Sequence, residues 1–264
     1  MISIARSKLI RSLDRKKSRE QQNLFVVEGV KMVRELLDAG ESSAHRVVEI
    51  FATEDWIRTN GDILPVGLEL TGVSEKELRK VSQLVTPQQV LALVRIPEQE
   101  WLPASLAGET VIGLEAIRDP GNLGTILRTA DWFGIRHILC TPDSVDLYNP
   151  KVVQASMGAI TRTRVYYTDL LEVIKEPALL EKPIYGTFLG GENIYETEMG
   201  QNPLILFGNE STGLSGKYDT CLKGRLSIPS FAGETGTKGG QGGPESLNLA
   251  SAVAVVCSEI LRRK

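Results

Sequence analysis

Three polar stretches in the second half of the chain hold residue types that chemistry requires. The first runs Asp119-Pro120-Gly121-Asn122-Leu123-Gly124-Thr125-Ile126-Leu127-Arg128 and reads as a turn feeding a helix, with Asn122 as the helix cap. Leu123, Ile126, Leu127, Ala130 and Phe133 form an apolar stripe at helical spacing. At about 100° per residue, Arg128 stands well away from that stripe, one turn above Gly124. A guanidinium above a bare glycine suits a ligand or second chain that approaches the backbone closely. The plainer alternative is a surface arginine and a packing glycine. The second stretch, Leu204-Ile205-Leu206-Phe207-Gly208-Asn209-Glu210-Ser211-Thr212-Gly213-Leu214, takes a buried strand into a polar turn. Free backbone N–H groups there suit an adenosine or a carboxylate, and Glu210 suits a neighbouring cation; a polar turn after a core strand is the alternative. The third stretch is Leu226-Ser227-Ile228-Pro229, a loop, and then Ser246-Leu247-Asn248-Leu249. Ser246 is a natural cap for a helix whose N-terminus presents free N–H groups and a positive dipole end. As a cap alone, Ser246 needs no further role.

These stretches need a frame. From about Gly108, strand patterns at Thr110–Leu114, His137–Thr141, Arg164–Tyr167, Pro183–Phe188, Pro203–Phe207 and Gly224–Ile228 alternate with helical ones. A long apolar helix, Leu247 to Arg262, closes the chain. Such alternation predicts an α/β fold built on a mainly parallel sheet, with ligands at the carboxyl ends of its strands. Before it, Phe25–Gly29 and Val47–Ala52 read as strands, Val30–Ala39 as a helix closed by Gly40, Ser74 as the cap of another helix, and Val90–Val94 as a further strand. The proline-flanked Pro97–Pro103 reads as a linker. The expected organisation is a small domain over 1–97, a connection over 98–107 and a larger domain over 108–264.

Composition narrows the function. The chain has 264 residues, 42% hydrophobic and 24% charged, with no apolar run of membrane-spanning length and no secretory leader pattern, so a cytoplasmic protein is expected. Cys140, Cys221 and Cys257 form no disulfide framework, and two histidines far apart offer neither a zinc site nor a triad. The net charge is −3, yet nine Lys and Arg stand against three acids between Met1 and Arg34. Such a patch pairs with phosphates or is simply a solvated helix face.

Taken in order, the three stretches resemble the signature motifs of the SpoU (TrmH-like) family of RNA ribose methyltransferases. The matching residues are Asn122-x-Gly124-x-x-x-Arg128, then Phe207-Gly208-Asn209-Glu210 with Gly213-Leu214, then Ile228-Pro229 with Ser246-Leu247-Asn248. Phe25-Val26-Val27-Glu28-Gly29 resembles the start of the ribosomal-protein-like RNA-binding domain that many members carry. The resemblance implies a parallel α/β sheet with a deep trefoil knot, a homodimer, and S-adenosylmethionine held mainly by backbone groups. Carried over residue by residue, it implies Thr187, Leu189, Gly208, Ile228 and Leu247 for the cofactor, and Asn122, Arg128, Glu210, Ser246 and Asn248 for catalysis. The reaction implied is methyl transfer to a ribose 2′-hydroxyl of RNA, ribosomal RNA before transfer RNA. Arg128 would bind the target phosphate and stabilise charge on the oxygen, with Glu210 orienting a cation such as Arg128.

One departure and two rivals stand beside this. The stretch Ser230–Gly243 is longer than the family usually has and dense in glycine; it reads as a tolerated insertion or a lid. A nucleotide-binding enzyme is disfavoured, because Lys238 does not follow the glycine a phosphate loop requires. A catalytically silent RNA-binding protein is opposed by the intact Arg128, Glu210, Ser246 and Asn248.

Overall fold

The computed structural model describes residues 1–98, 100–101, 103–231 and 246–263. In chain order the elements are α1 (Ile4–Ser12), α2 (Lys16–Gln22), β1 (Leu24–Glu28), α3 (Val30–Ala39), β2 (Arg46–Ala52), α4 (Glu54–Asn60), β3 (Glu69–Gly72), α5 (Glu75–Val81) and β4 (Val90–Arg95). There follow β5 (Val111–Leu114), α6 (Pro120–Trp132), β6 (His137–Cys140), α7 (Pro150–Ser156), β7 (Arg164–Tyr167), α8 (Leu170–Ile174), β8 (Ile184–Asn193), β9 (Leu204–Phe207), β10 (Gly224–Ser227) and α9 (Leu249–Arg262). Two compact units form: Met1–Gln99 with Asp146–Arg162, and Glu100–Val145 with Thr163–Lys264. Among the described residues no helix is long and apolar enough to cross a membrane. From residue 232 onward, the glycine-rich stretch that reads as an insertion or a lid lies outside the described residues.

The first unit is a four-stranded sheet in the order β1-β4-β2-β3, antiparallel except where β3 joins β2. Strand β3 lacked a period-2 apolar signal, because Glu69-Leu70-Thr71-Gly72 is an edge strand with no fully buried residue. Ile10 and Leu13 pack with Leu78, Val81 and the sheet residues Phe51 and Leu93. Ser74 caps α5 as expected, in a reciprocal capping box with Glu77. The segment Asp146–Arg162, distant in sequence, is tied into this unit by ion pairs. The buried Arg19 pairs with Asp146 and donates to the carbonyls of Leu13 and Asp14 at 2.8 Å each, while Arg162 meets Glu35 at 2.7 Å.

That segment also carries Tyr148, which packs at a tilt against Phe25 and beside His45, whose side chain is held with only long contacts, 3.4 Å to Tyr148 Oη and 3.5 Å to Ser43 Oγ. Burial depresses the imidazole from 6.5 to about 4. The folded state therefore holds His45 neutral where the unfolded chain would already bind a proton. Its contribution is complete above pH 6.5 and is lost as pH falls toward 4, amounting to about 2 kcal/mol by pH 5. Urea denaturation at pH 7.5 and pH 5 should show this loss, and His45→Gln should flatten that part of the profile.

The second unit is a six-stranded, all-parallel sheet in the order β10-β8-β9-β5-β6-β7. The alternating pattern predicted this arrangement. From β5 the chain winds outward through β6 and β7, then crosses to the other side of the sheet for β8, β9 and β10. The carboxyl ends of β5 and β9 thus meet at a switch point, where open parallel sheets bind ligands. Helix α6 packs on α9, burying Leu123, Gly124, Ile126, Leu127 and Ala130 of the one and Leu249, Ala250, Val253, Val256 and Ile260 of the other. Gly124 is buried, which does not match the bare backbone expected beneath Arg128. Glu259, buried in α9, is held down at about 2, chiefly by its hydrogen bonds with Arg262.

Candidate active site

At the carboxyl end of β5, Glu115 enters a polar turn that leads to α6. The cap of that helix is Asp119, whose Oδ1 accepts from the Asn122 N–H at 2.7 Å, with Pro120 at the first helical position. This corrects the expectation that Asn122 caps the helix. Relieved of that task, Asn122 has its whole side-chain amide available, and the fold uses both ends of it. Asn122 Nδ2 donates to Glu210 Oε1 at 2.7 Å, and its Oδ1 accepts from Asn248 Nδ2 at 2.9 Å. Asn248 is itself the cap of α9, its Oδ1 accepting from Ala250 N at 2.9 Å and Ser251 N at 3.4 Å. The cap is thus not Ser246, and the helix starts at Leu249, two residues later than the apolar pattern suggested.

The three motifs therefore meet in one chain of hydrogen bonds, Glu210 to Asn122 to Asn248, across 88 and 126 residues of sequence. Glu210 accepts from Asn122 and not from Arg128. Arg128 is exposed on α6 and has no ion pair among the described residues. Ser246 is exposed just ahead of Asn248.

The loop that bears Glu210 is fixed at both ends. Gly208 is buried where a Cβ would lie 1.9 Å from the Leu214 nitrogen, so the turn closes only over a glycine. Asn209 holds the loop internally, its Oδ1 accepting from Ser211 N at 2.9 Å and its carbonyl from Gly213 N at 2.8 Å, while its Nδ2 donates to Ala116 O at 2.7 Å. At the far end the buried Glu115 carboxylate accepts from Ser215 N, Ser215 Oγ and Lys217 Nζ, each at 2.8 Å. Burial pushes that carboxyl up, but the hydrogen bonds from Lys217 and Ser215 outweigh it and leave it below the usual carboxylate range. Sequence reasoning missed both clasps; an acid directly after a core strand, at Glu115, was the available signal. A cleft of about 470 Å³ opens beside this loop, lined in part by Ala116, Thr141, Asp143, Asn209, Thr212 and Lys217.

Of the residues expected to hold a cofactor, Thr187 and Leu189 lie within β8, Gly208 directly after β9, Ile228 directly after β10 and Leu247 two residues ahead of α9. Strand β8 pairs with β10 up to Gly186 and again from Glu192, opposite the consecutive residues Arg225 and Leu226. Thr187 to Gly191 therefore bulge from the ladder. Thr187 Oγ1 donates to Leu206 O at 3.1 Å, and Leu189 O accepts from Ser227 Oγ at 3.0 Å. Leu189 and Leu247 are 77% and 51% exposed, while Ile228 is half-buried. Bulged backbone with apolar side chains at its rim is a donor set that suits a nucleoside held by main-chain groups. The residues present fit such a group.

A parallel α/β sheet with its polar motifs gathered at the switch point defines a ligand-binding enzyme architecture. Residues 109–258 match the SpoU rRNA Methylase family and residues 5–92 the MRM3-like substrate binding domain, and the chain belongs to the SpoU rRNA methylase family. It is 28% identical over 247 residues, 93% of this chain and 92% of the relative, to the 23S rRNA (guanosine(2553)-2′-O)-methyltransferase RlmP of Bacillus subtilis. Among solved structures it is similar to a TrmH-family protein from Porphyromonas gingivalis, at TM-score 0.84 and 34% identity, covering 100% of both chains. It is also similar to an AdoMet-bound rRNA methyltransferase from Sinorhizobium meliloti, at TM-score 0.80 and 26% identity, covering 100% of this chain and 97% of that one.

Proposed function

We propose that this protein transfers the methyl group of S-adenosylmethionine to a ribose 2′-hydroxyl of ribosomal RNA. The observation that carries the reading is the Glu210–Asn122–Asn248 chain, which draws three separate motifs to one point at the sheet's switch. Membership of the SpoU family and the named activities of its relatives support it. Thr187, Leu189, Gly208, Ile228 and Leu247 would hold the cofactor, which supplies an electrophilic methyl group when bound.

The chain's own residues must orient the ribose, receive its proton and stabilise the oxygen as charge develops. Glu210 is exposed beyond its bond from Asn122, so one face of its carboxylate remains for the hydroxyl. Arg128 supplies a guanidinium fork for the phosphate and the developing charge. Ser246 and Asn248 align the ribose. The protein acts in the cytoplasm as a homodimer whose chain end is threaded as a trefoil knot. Trp132, 86% exposed at the end of α6, is an apolar side chain suited to the dimer contact, and Trp132→Glu should shift the sedimentation coefficient to that of a single chain.

The test is transfer of label from methyl-labelled S-adenosylmethionine to total RNA from a strain lacking the gene. Label recovered from ribosomal RNA as a 2′-O-methylated nucleoside is expected; label on a base, or none with any RNA, would overturn the reading. The hydrogen-bonded chain has a sharper test at Asn248. Asn248→Asp keeps the capping oxygen and removes the donor to Asn122, so Tm should hardly move while kcat falls. Asn248→Ala loses both and should also cost about 1 kcal/mol of stability. Equal activity in Asn248→Asp and wild type would remove the amide from the mechanism.

A further inference from the structure

Of the seven cations among the first 22 residues, the fold spends two on its own architecture. Arg19 is buried against Asp146 and two carbonyls, and Arg6 lies 3.0 Å from the buried Glu49. Lys8, Arg11, Arg15, Lys16 and Lys17 remain exposed. Among the described residues only Lys16 of these five has an acidic partner, Glu20 at 3.8 Å, a solvent-exposed pair of little energy that a phosphate can displace. On α1, Lys8 and Arg11 are three positions apart and share a face, while Ile10 projects to the opposite side, into the core. Arg15, Lys16 and Lys17 follow at the start of α2, and Asp14 and Glu20 are the only acids in this stretch. In a chain of net charge −3, so concentrated a cationic strip calls for a polyanion.

We propose that the α1–α2 strip is a sequence-independent anchor for the RNA sugar-phosphate backbone, acting at the binding step and not in the chemistry. The proposal rests on the RNA reading above and adds the surface that grips the substrate. Contacts of this kind position a nucleic acid without reading its bases. Their mark is salt dependence: each phosphate neutralised contributes about 0.7–0.9 to the slope of log K against log salt.

The test compares the full-length protein with the variant carrying Lys8→Ala, Arg11→Ala, Arg15→Ala, Lys16→Ala and Lys17→Ala, using ribosomal RNA from the deletion strain. The salt slope should drop by about 3.5–4.5, so that between 50 and 200 mM salt the wild type loses roughly 10²-fold more affinity than the variant. KM for RNA should rise, while kcat at saturating RNA and cofactor affinity stay unchanged. An unchanged slope and KM would overturn the proposal, and so would a fall in kcat with KM intact. A second variant, Arg11→Lys with Arg15→Lys, keeps the charge and should keep the affinity; its failure would mean that base edges are being read. Absence of methyl transfer by the wild type, with the salt-dependent binding present, would refute the methyltransferase reading and leave the anchor standing.

Discussion

Arg128→Ala should lower kcat for methyl transfer by about 10²–10³-fold while leaving the fold and the cofactor affinity untouched. The two halves of this expectation have separate grounds. Arg128 is exposed on α6 and has no ion pair among the described residues, so its removal leaves no buried partner behind and changes stability by no more than about 0.5 kcal/mol. Its chemical task, holding a phosphate and stabilising a developing oxyanion, is realised mainly as charge builds up, so the loss falls on kcat and not on cofactor binding. Arg128→Lys separates charge from geometry. A lysine keeps the cation but loses the planar fork, and activity should stay at least about tenfold down. Near-normal rates in Arg128→Lys would sink the bidentate role. Single-turnover rates with both variants, alongside cofactor titration and thermal melts, check each part.

The second large effect belongs to a glycine. Gly208→Ala would place a Cβ 1.9 Å from Leu214 N, 2.0 Å from Gly213 C and 2.3 Å from Gly213 O, all backbone atoms that cannot swing aside. The turn must open, and with it go the Asn209–Gly213 hydrogen bond and the position of Glu210 against Asn122. We expect a loss of about 3 kcal/mol in urea denaturation, the upper range for forcing atoms into a packed site, together with loss of methyl transfer. Gly213→Ala is the informative contrast. Gly213 has a left-handed φ of 69° but nothing within 4 Å of an added Cβ, so it should cost only about 1–2 kcal/mol of backbone strain. Equal effects of the two substitutions would mean that the turn relaxes around an added Cβ and that space is not what Gly208 provides.

Much of this protein was written into local sequence. Runs such as Val111–Leu114 and Leu204–Phe207, buried at every position, are what strands covered on both faces require, and their alternation with helices foretold a parallel sheet. The motif residues announced themselves by type and order, and the basic opening stretch by charge. What local pattern could not choose was between neighbouring candidates of similar propensity. Asp119 and Asn122 both can cap a helix, and Pro120 at the first helical position was the signal favouring Asp119; Ser246 and Asn248 posed the same choice. With Asp119 as cap, the Asn122 amide is left to reach two other motifs, whereas Asn248 caps with its oxygen and reaches Asn122 with its Nδ2. The partner of Glu210, the ties from Arg19 to Asp146 and from Glu115 to Ser215, and the membership of 146–162 in the first unit were likewise decided only by tertiary structure. The reason is physical. Backbone sterics and burial period act over a few residues and are legible in one segment. Which side chains meet across a hundred residues depends on the order in which strands lie in the sheet, and only packing the whole chain sets that order.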